Sequence, residues 1–501
     1  MGSGNCLPSL KKEIEMLKRT IVSSQAAPAR LTHDSTAHFL HSTAGKAGAF
    51  ALALVLAASG SLAFAQSDKT EFAAEKPQFV SFPNFIENTR SANSNDFLAR
   101  ADSKVRDAAA FEEMRQSILN RYQGVEVTHS FLSGGQHYDC VAIDQQPAVR
   151  NFHLSSIAPA PPQELAGKPV TAQGNVRPAQ LDSEKPVDEF GNSTRCEANT
   201  VPLLRTTLET LSRFATLQDF YHKTPGGAVK EAQARADEDN SRSEFADPSV
   251  AAHKYSFTYQ YVNNLGGNSN NNIWDPYVNT SLGEVFSLSQ EWYVGGSGSG
   301  TQTEEVGWVV YPAMFNDERV HFFIFSTPDN YNINDTKYDC WNNTCGNFVQ
   351  VADSGLLGNY FNTVSSTGGT QYEFAAMYYL YEGNWWLSYQ GTWIGYYPGA
   401  MYKGGQNTKN AQIIEFGTEG VGTTIWPPEG SGAWPSTGWA HAAYQRNLYY
   451  VATGSTYHSY WDSLTPDIPS PACYSIAGPY SSGGTGWEVY FYEGGPGGRG
   501  C

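Results

Sequence analysis

The chain has 501 residues and a formal net charge of −17. That is long for one domain, and too acidic for a nucleic-acid partner, since nucleic-acid binders gather Lys and Arg into a basic footprint. No nucleic acid is therefore expected as a partner, and an acidic, soluble, extracellular protein fits these totals best.

Residues 1–40 read either as a mis-called start or as an N-terminal extension. Residues 41–65 carry Lys46, an apolar run and Ala63-Phe64-Ala65 before Gln66. This is the layout of a secretory signal peptide cut after Ala65. The run is short for a span of roughly 20 residues and is broken by Ser59 and Gly60, so no stable membrane anchor is expected after cleavage. Only Cys6 of the seven cysteines precedes the cut. The six that follow are an even number, which a secreted (extracellular or periplasmic) setting permits to pair.

Residues 66–250 are charged, Ala-rich and partly helical. "SKVRDAAAFEEMRQSILNRYQG" and "TTLETLSRFATLQDFYHKTPGG" have helix formers, apolar spacing and terminal glycines, which predict two helices. Between them "VEVTHSFLSGGQHYDCVAI" predicts a hairpin turning at Gly134-Gly135. "APAPPQELAGKP" and "ARADEDNSRSEFADPS" read as linkers.

From residue 251 onward Lys and Arg nearly vanish while Tyr, Trp, Gly and Asn rise. Short β-type runs such as "YSFTYQYV", "VHFFIFS", "YEFAAMYYLY" and "WEVYFYEG" recur between Gly, Asn, Pro or Asp. Many strands without intervening helices predict an all-β domain, an antiparallel sandwich or barrel. The layout is thus signal, α+β leader, β domain. Secreted zymogens use this order, although two ordinary domains joined by a linker give it as well.

Several chemistries lack their signatures. There is no G-x-S-x-G elbow and no H-E-x-x-H helix, and His321, His441 and His458 lack metal-ligand spacing. No metal and no cofactor are expected. Cys340 and Cys345 enclose only "WNNT", and Cys473 with the terminal Cys501 can staple the chain end, so both pairs read as disulfides rather than catalytic thiols. Cys140 and Cys196 belong to the leader and are available to each other.

Carboxylates remain. Glu305 in "EEVGWVVYP" and Glu419 in "AQIIEFGTEGVG" each sit in an apolar, Gly-punctuated β segment. If both face one cleft, burial and mutual repulsion drive their proton affinities apart, leaving one acid and one base. The bland alternative is two strand-edge carboxylates facing solvent. Glu304, one residue away, points to the opposite face of the pleat.

The same half resembles the neprosin family of secreted glutamic peptidases. The resemblance rests on "NIWDPYV" (272–278), "FSLSQEWYV" (286–294), "EVGWVVYP" (305–312), "CWNNTCGNFVQ" (340–350), "GNWWL" (383–387), "IGYYP" (394–398), "EFGTEG" (415–420) and "GGPGGRGC" (494–501). In the leader, "FLSGGQHYDCVAIDQQPAVR" (131–150) is similar to the core of that family's activation peptide. The resemblance implies a sandwich of two antiparallel sheets over residues 251–501 and a pro-domain over 66–250. It also implies hydrolysis after proline by Glu305 and Glu419. The chain departs from the family's Trp-Gly-Gly-Glu by reading Phe416-Gly417-Thr418-Glu419, and Thr418 adds bulk beside the glutamate.

Proline-containing proteins or peptides are then the expected substrates, with the pro-domain as an intramolecular partner. Trp308, Trp385 and Trp386 are candidates to pack on a proline ring. The leader is expected to be removed after acid loosens it, by a cut between Ala234 and Ser249. Two rivals stand beside the peptidase. One is a non-catalytic carbohydrate-binding module, in which the two glutamates need not converge. The other is a glycosidase using the same carboxylates.

Overall fold

The computed structural model describes residues 78–167, 170–172, 174–182, 185–223, 251–332, 338–454 and 464–501. The expected signal peptide and the linker at 234–249 lie outside the described residues. All that are described belong to one compact unit, Lys69–Cys501. Among them no helix is long and apolar enough to cross a membrane.

The N-terminal part begins with α1 (Phe82–Ser91) and α2 (Ala108–Arg121). Asp107 caps α2 by accepting the amide of Ala110. The expected hairpin follows as β1 (Val127–Ser133) and β2 (Gln136–Ala142). Gly134 and Gly135 both take positive φ, 61° and 74°, the conformation that a two-residue hairpin turn requires. β3 (Val176–Pro178) comes next, and β4 (Thr200–Leu204) pairs with β2. The disulfide Cys140–Cys196 ties this region together.

Two expectations change here. The second long helix is instead two short turns, Leu208–Leu211 and α3 (Leu217–Tyr221). Thr207 and Thr216 each cap a fresh start by accepting backbone amides, of Thr210 and Asp219, so local side-chain bonds win over continuation. The Pro-rich stretch near 158–166 is a docked strap rather than a loose linker. Its Ala158 amide donates to the Tyr396 hydroxyl, and Trp393 Nε1 donates to the Pro162 carbonyl.

The β-rich part contains β5 (Ala252–Asn272), β6 (Glu284–Gly295), β7 (Gln302–Val310), β8 (Val320–Thr327), β9 (Val349–Gln350), β10 (Gln371–Tyr381), β11 (Asn384–Tyr389) and β12 (Thr392–Tyr397). It continues with β13 (Ala411–Gly422), β14 (Ile425–Trp426), β15 (Ala443–Ala452), β16 (Thr465–Asp467), β17 (Ser475–Ser482), β18 (Glu488–Gly494) and β19 (Gly498–Arg499). Fourteen strands join into one curled sheet, β3 from the N-terminal part included, and nearly every pairing is antiparallel.

The curl depends on β5. Its first half, to Asn264, pairs with β13, while residues from Gly266 onward pair with β10. At the change of partner Gly266 has φ +112°, and a Cβ there would lie 2.0 Å from the Tyr378 carbonyl. No other residue fits so close an approach. The strand thereby crosses from a layer ordered β8-β7-β6-β13-β5 to one ordered β5-β10-β11-β12-β9. Between the layers Trp308, Phe322, Ile324, Phe374, Tyr378, Trp385 and Phe416 form the core.

The second half of β5 reads "GGNSNNN", poor in β-formers, and propensity gives no hint of a strand. It holds because the buried amides find partners. Asn268 donates to the Asn447 carbonyl, Asn270 to Glu373 and Asn271 to Ser289.

Candidate functional site

Register places both glutamates on one face. Across the first layer Glu305 of β7 lies opposite Trp292 of β6, which lies opposite Glu415 of β13. Two residues along, Gly307, Gln290 and Gly417 form the next row, and then Val309, Leu288 and Glu419. Residues directly opposite in a sheet share a face, so Glu305, Gln290 and Glu419 all project together. Gly307 and Gly417 leave the middle row without side chains on either flank of Gln290, and this opens the hollow between the carboxylates.

The hollow is filled by Lys223, two residues beyond α3. Its Nζ donates to Glu305 Oε2 at 2.5 Å, Glu419 Oε2 at 3.0 Å and Gln290 Oε1 at 3.2 Å. Two contacts of 2.5 and 3.0 Å to one atom keep the carboxylate oxygens within 5.5 Å of each other. Each glutamate is anchored through its other oxygen. Glu305 Oε1 accepts from Thr303 Oγ1 at 2.8 Å and the Tyr331 hydroxyl at 2.7 Å. Glu419 Oε1 meets His253 Nδ1, and Gln290 Nε2 reaches Glu419 Oε2 at 3.3 Å. The two Oε2 atoms thus converge on the Lys223 ammonium.

All three charged groups are shut from water, with Glu305 at 0%, Glu419 at 1% and Lys223 at 2% exposure. Burial alone would push the Glu419 carboxyl up. The Lys223 ammonium and the His253 hydrogen bond overturn that and hold it at about 2. Burial likewise pulls Lys223 down, but the two glutamates outweigh it and keep the ammonium charged. The ammonium lies 5.8, 5.2 and 5.6 Å from the ring centroids of Phe323, Phe325 and Trp341.

The N-terminal part covers this face. Its core residues Phe85, Phe111, Met114, Leu211 and Phe220 run without a break into Phe286, Leu288, Val309, Phe323, Phe325 and Trp341. Trp341 sits in the small loop closed by Cys340–Cys345, and Arg121 of α2 donates to that loop's carbonyls at Asn343 and Thr344. Cys473–Cys501 closes the chain end.

The tryptophans lie elsewhere. Trp308 is on the opposite face from Glu305, wholly buried, with Nε1 donating to Asn271 Oδ1 and the Asn272 carbonyl. Trp385 donates to the Asn407 carbonyl in the core, and Trp386 packs on Tyr396. A strand that faces a core on one side and a covered cleft on the other gives period two no means of telling them apart. Thr418 also points away from Glu419, to Ser256 and Glu429, so its bulk does not enter the cleft. Glu304 does face away from Glu305, but into a second buried environment where Asn407 donates to both its oxygens.

Lys223, His253, Gln290 and Tyr331 carried no local signal of a role. A lone lysine after "DFYH" and a histidine at a strand start are ordinary until the fold brings them to the carboxylates.

Residues 283–496 match the Neprosin family model. The chain carries a neprosin domain. The match covers 214 of the 501 residues, and the family is associated with peptidase activity. Glu305 and Glu419 both fall inside the matched span, while Lys223 and His253 precede it.

Proposed function

We propose that the protein is a secreted glutamic endopeptidase that cleaves after proline and is made as a zymogen, with Lys223 blocking the catalytic pair. The observation that carries this reading is the convergence of the two Oε2 atoms on the Lys223 ammonium inside a neprosin domain. When Lys223 leaves, a water at that point lies within reach of both carboxylates. Glu419, which His253 helps to hold ionised, takes the water's proton. The resulting hydroxide adds to the amide carbonyl carbon, and Glu305, as the general acid, gives a proton to the leaving nitrogen as the C–N bond breaks.

The three disulfides accord with export to an oxidising compartment. A carbohydrate-binding module has no need for Glu305 and Glu419 to meet, and their meeting counts against it. An upper bound of 5.5 Å between the two Oε2 atoms also admits a retaining glycosidase, whose carboxyls stand roughly 5–5.5 Å apart, so the neprosin match is what favours peptide over sugar. Incubation of the full chain with a proline-containing protein at acidic and neutral pH, followed by mass spectrometry, tests the reading. Fragments ending in proline, formed at acidic pH, are expected. An intact substrate at every pH, or fragments unrelated to proline, would contradict it.

A further inference from the structure

The oxygens that meet Lys223 come from three neighbouring strands. Glu305 is on β7, Glu419 on β13 and Gln290 on β6 between them, and each offers one oxygen to the same nitrogen, at 2.5, 3.0 and 3.2 Å. An alkylammonium carries three N–H donors, so acceptors and donors match one for one. The acceptors are held by groups other than the lysine. Thr303 and Tyr331 donate to the second Glu305 oxygen, His253 meets the second Glu419 oxygen, and Gln290 donates through Nε2 to Glu419. Phe323, Phe325 and Trp341 present rings to the same nitrogen at 5.2–5.8 Å, the range in which a ring attracts a cation. Elsewhere the chain buries its cations differently. Arg205 sets Nε and Nη2 against both oxygens of Asp139, and Arg446 does the same with Glu373. Each is a planar fork on one carboxylate, the arrangement that suits a guanidinium, whereas three oxygens from three residues around one nitrogen suit a compact point donor.

We propose that Glu305, Glu419 and Gln290 form a receptor for a primary alkylammonium group, either a free amine or the lysine side chain of a polypeptide, and that such ligands inhibit the peptidase. The proposal deepens the peptidase reading of this site and rests on it for the inhibition alone. Lys223 is the chain's own ligand. The fixed oxygens are in place before any ligand arrives, so little ordering opposes binding. A guanidinium spreads its donors over a fork and cannot bring three N–H groups to one point. A trimethylammonium keeps the charge and the ring contacts but has no N–H, so it leaves three buried acceptors unpaired. The site therefore ranks primary ammonium above both.

The test uses the full chain carrying Lys223→Ala, which deletes Cγ, Cδ, Cε and Nζ, the skeleton of n-propylammonium. Calorimetric titration and thermal melting at neutral pH compare n-propylammonium, N-propylguanidinium and n-propyltrimethylammonium at one ionic strength. With so few atoms the amine is expected to bind at about 0.1–10 mM. At tenfold saturation it should raise the melting temperature by about 1–3 °C. The two analogues should bind at least about tenfold more weakly. Equal binding of all three, or no binding of the amine, overturns the proposal. Slowing of the acid-treated parent by the amine and not by the analogues is the second readout should Lys223→Ala misfold. A peptide of residues 207–223 separates the two sources. Binding tighter than the amine's, and lost on Lys223→Met in the peptide, assigns the lysine of a polypeptide; binding no tighter assigns the free amine; equal binding of both peptides overturns the proposal. A chain that binds the amine yet cleaves nothing keeps the receptor and loses the peptidase reading. A chain whose cleavage the amine does not slow loses the receptor alone.

Discussion

Lys223→Met tests the proposed latency contact. Methionine keeps an apolar stem beside Phe323, Phe325 and Trp341 but removes the ammonium that neutralises Glu305 and Glu419. Glu419 is held at about 2 against an ordinary 4.5, with burial opposing and Lys223 the largest of the favourable causes. At 1.36 kcal/mol per pKa unit that gap is about 3 kcal/mol, with the lysine its largest single favourable source. Removing one partner of a buried pair typically costs roughly 3–5 kcal/mol. The two routes bracket a loss of about 3–5 kcal/mol from the docked state, so the open fraction should rise on the order of 150- to 5,000-fold. The assay is the initial rate of hydrolysis of a fluorogenic proline peptide near neutral pH. Intact mass at the end of the run confirms that the chain was not cut. An uncut, folded Lys223→Met protein as inactive as the parent would refute the idea that this ion pair maintains latency.

The pH dependence of maturation follows from the same group. A carboxyl whose folded value is depressed contributes stability above its unfolded value and loses it as pH falls through the folded one. The Lys223–Glu419 contact should therefore weaken from about pH 4.5 down to about 2. N-terminal sequencing and activity after timed incubation should show release accelerating across that window, and a rate flat over it would contradict this. Glu493 behaves oppositely. Burial raises it to about 8 against the hydroxyl and amide donors Ser289 and Gln445, so its contribution is present below pH 4.5 and is lost as pH rises toward 8. Glu493→Gln should flatten the fall in melting temperature between pH 5 and 8, and an unchanged fall would assign that slope elsewhere. Burial pushes Glu291, Glu304 and Glu429 up as well, so the β-rich part is expected to tolerate the acid proposed to loosen its cover.

Much of the fold was legible because the alternation of Tyr, Trp and Val between Gly and Asn reports strands directly. The β1–β2 hairpin was equally plain, since Gly134-Gly135 satisfies a positive-φ turn. The Asn-rich end of β5 was not, because its stability comes from buried amide partners distant in sequence. Glu305 and Glu419 were conspicuous as carboxylates in apolar strands. Their meeting point, however, is set by register across β7, β6 and β13, and Lys223 reaches it from the other side of the 224–250 segment. The three tryptophans show the limit from the other direction. Aromatic residues in "GWVVYP" and "GNWWL" carry the same pattern whether they line a cleft or fill a core, and here they fill the core.

The most direct test replaces each glutamate by its isostere. Glu305→Gln and Glu419→Gln keep the shape of the side chain but neither ionise nor donate an acidic proton. Acid-treated full-length protein carrying either change should remain folded and fail to cleave a proline-containing substrate, while Glu304→Gln, facing Asn407 on the far side of the strand, should cleave it. Proteolysis at the parent rate in either dyad variant would contradict the account.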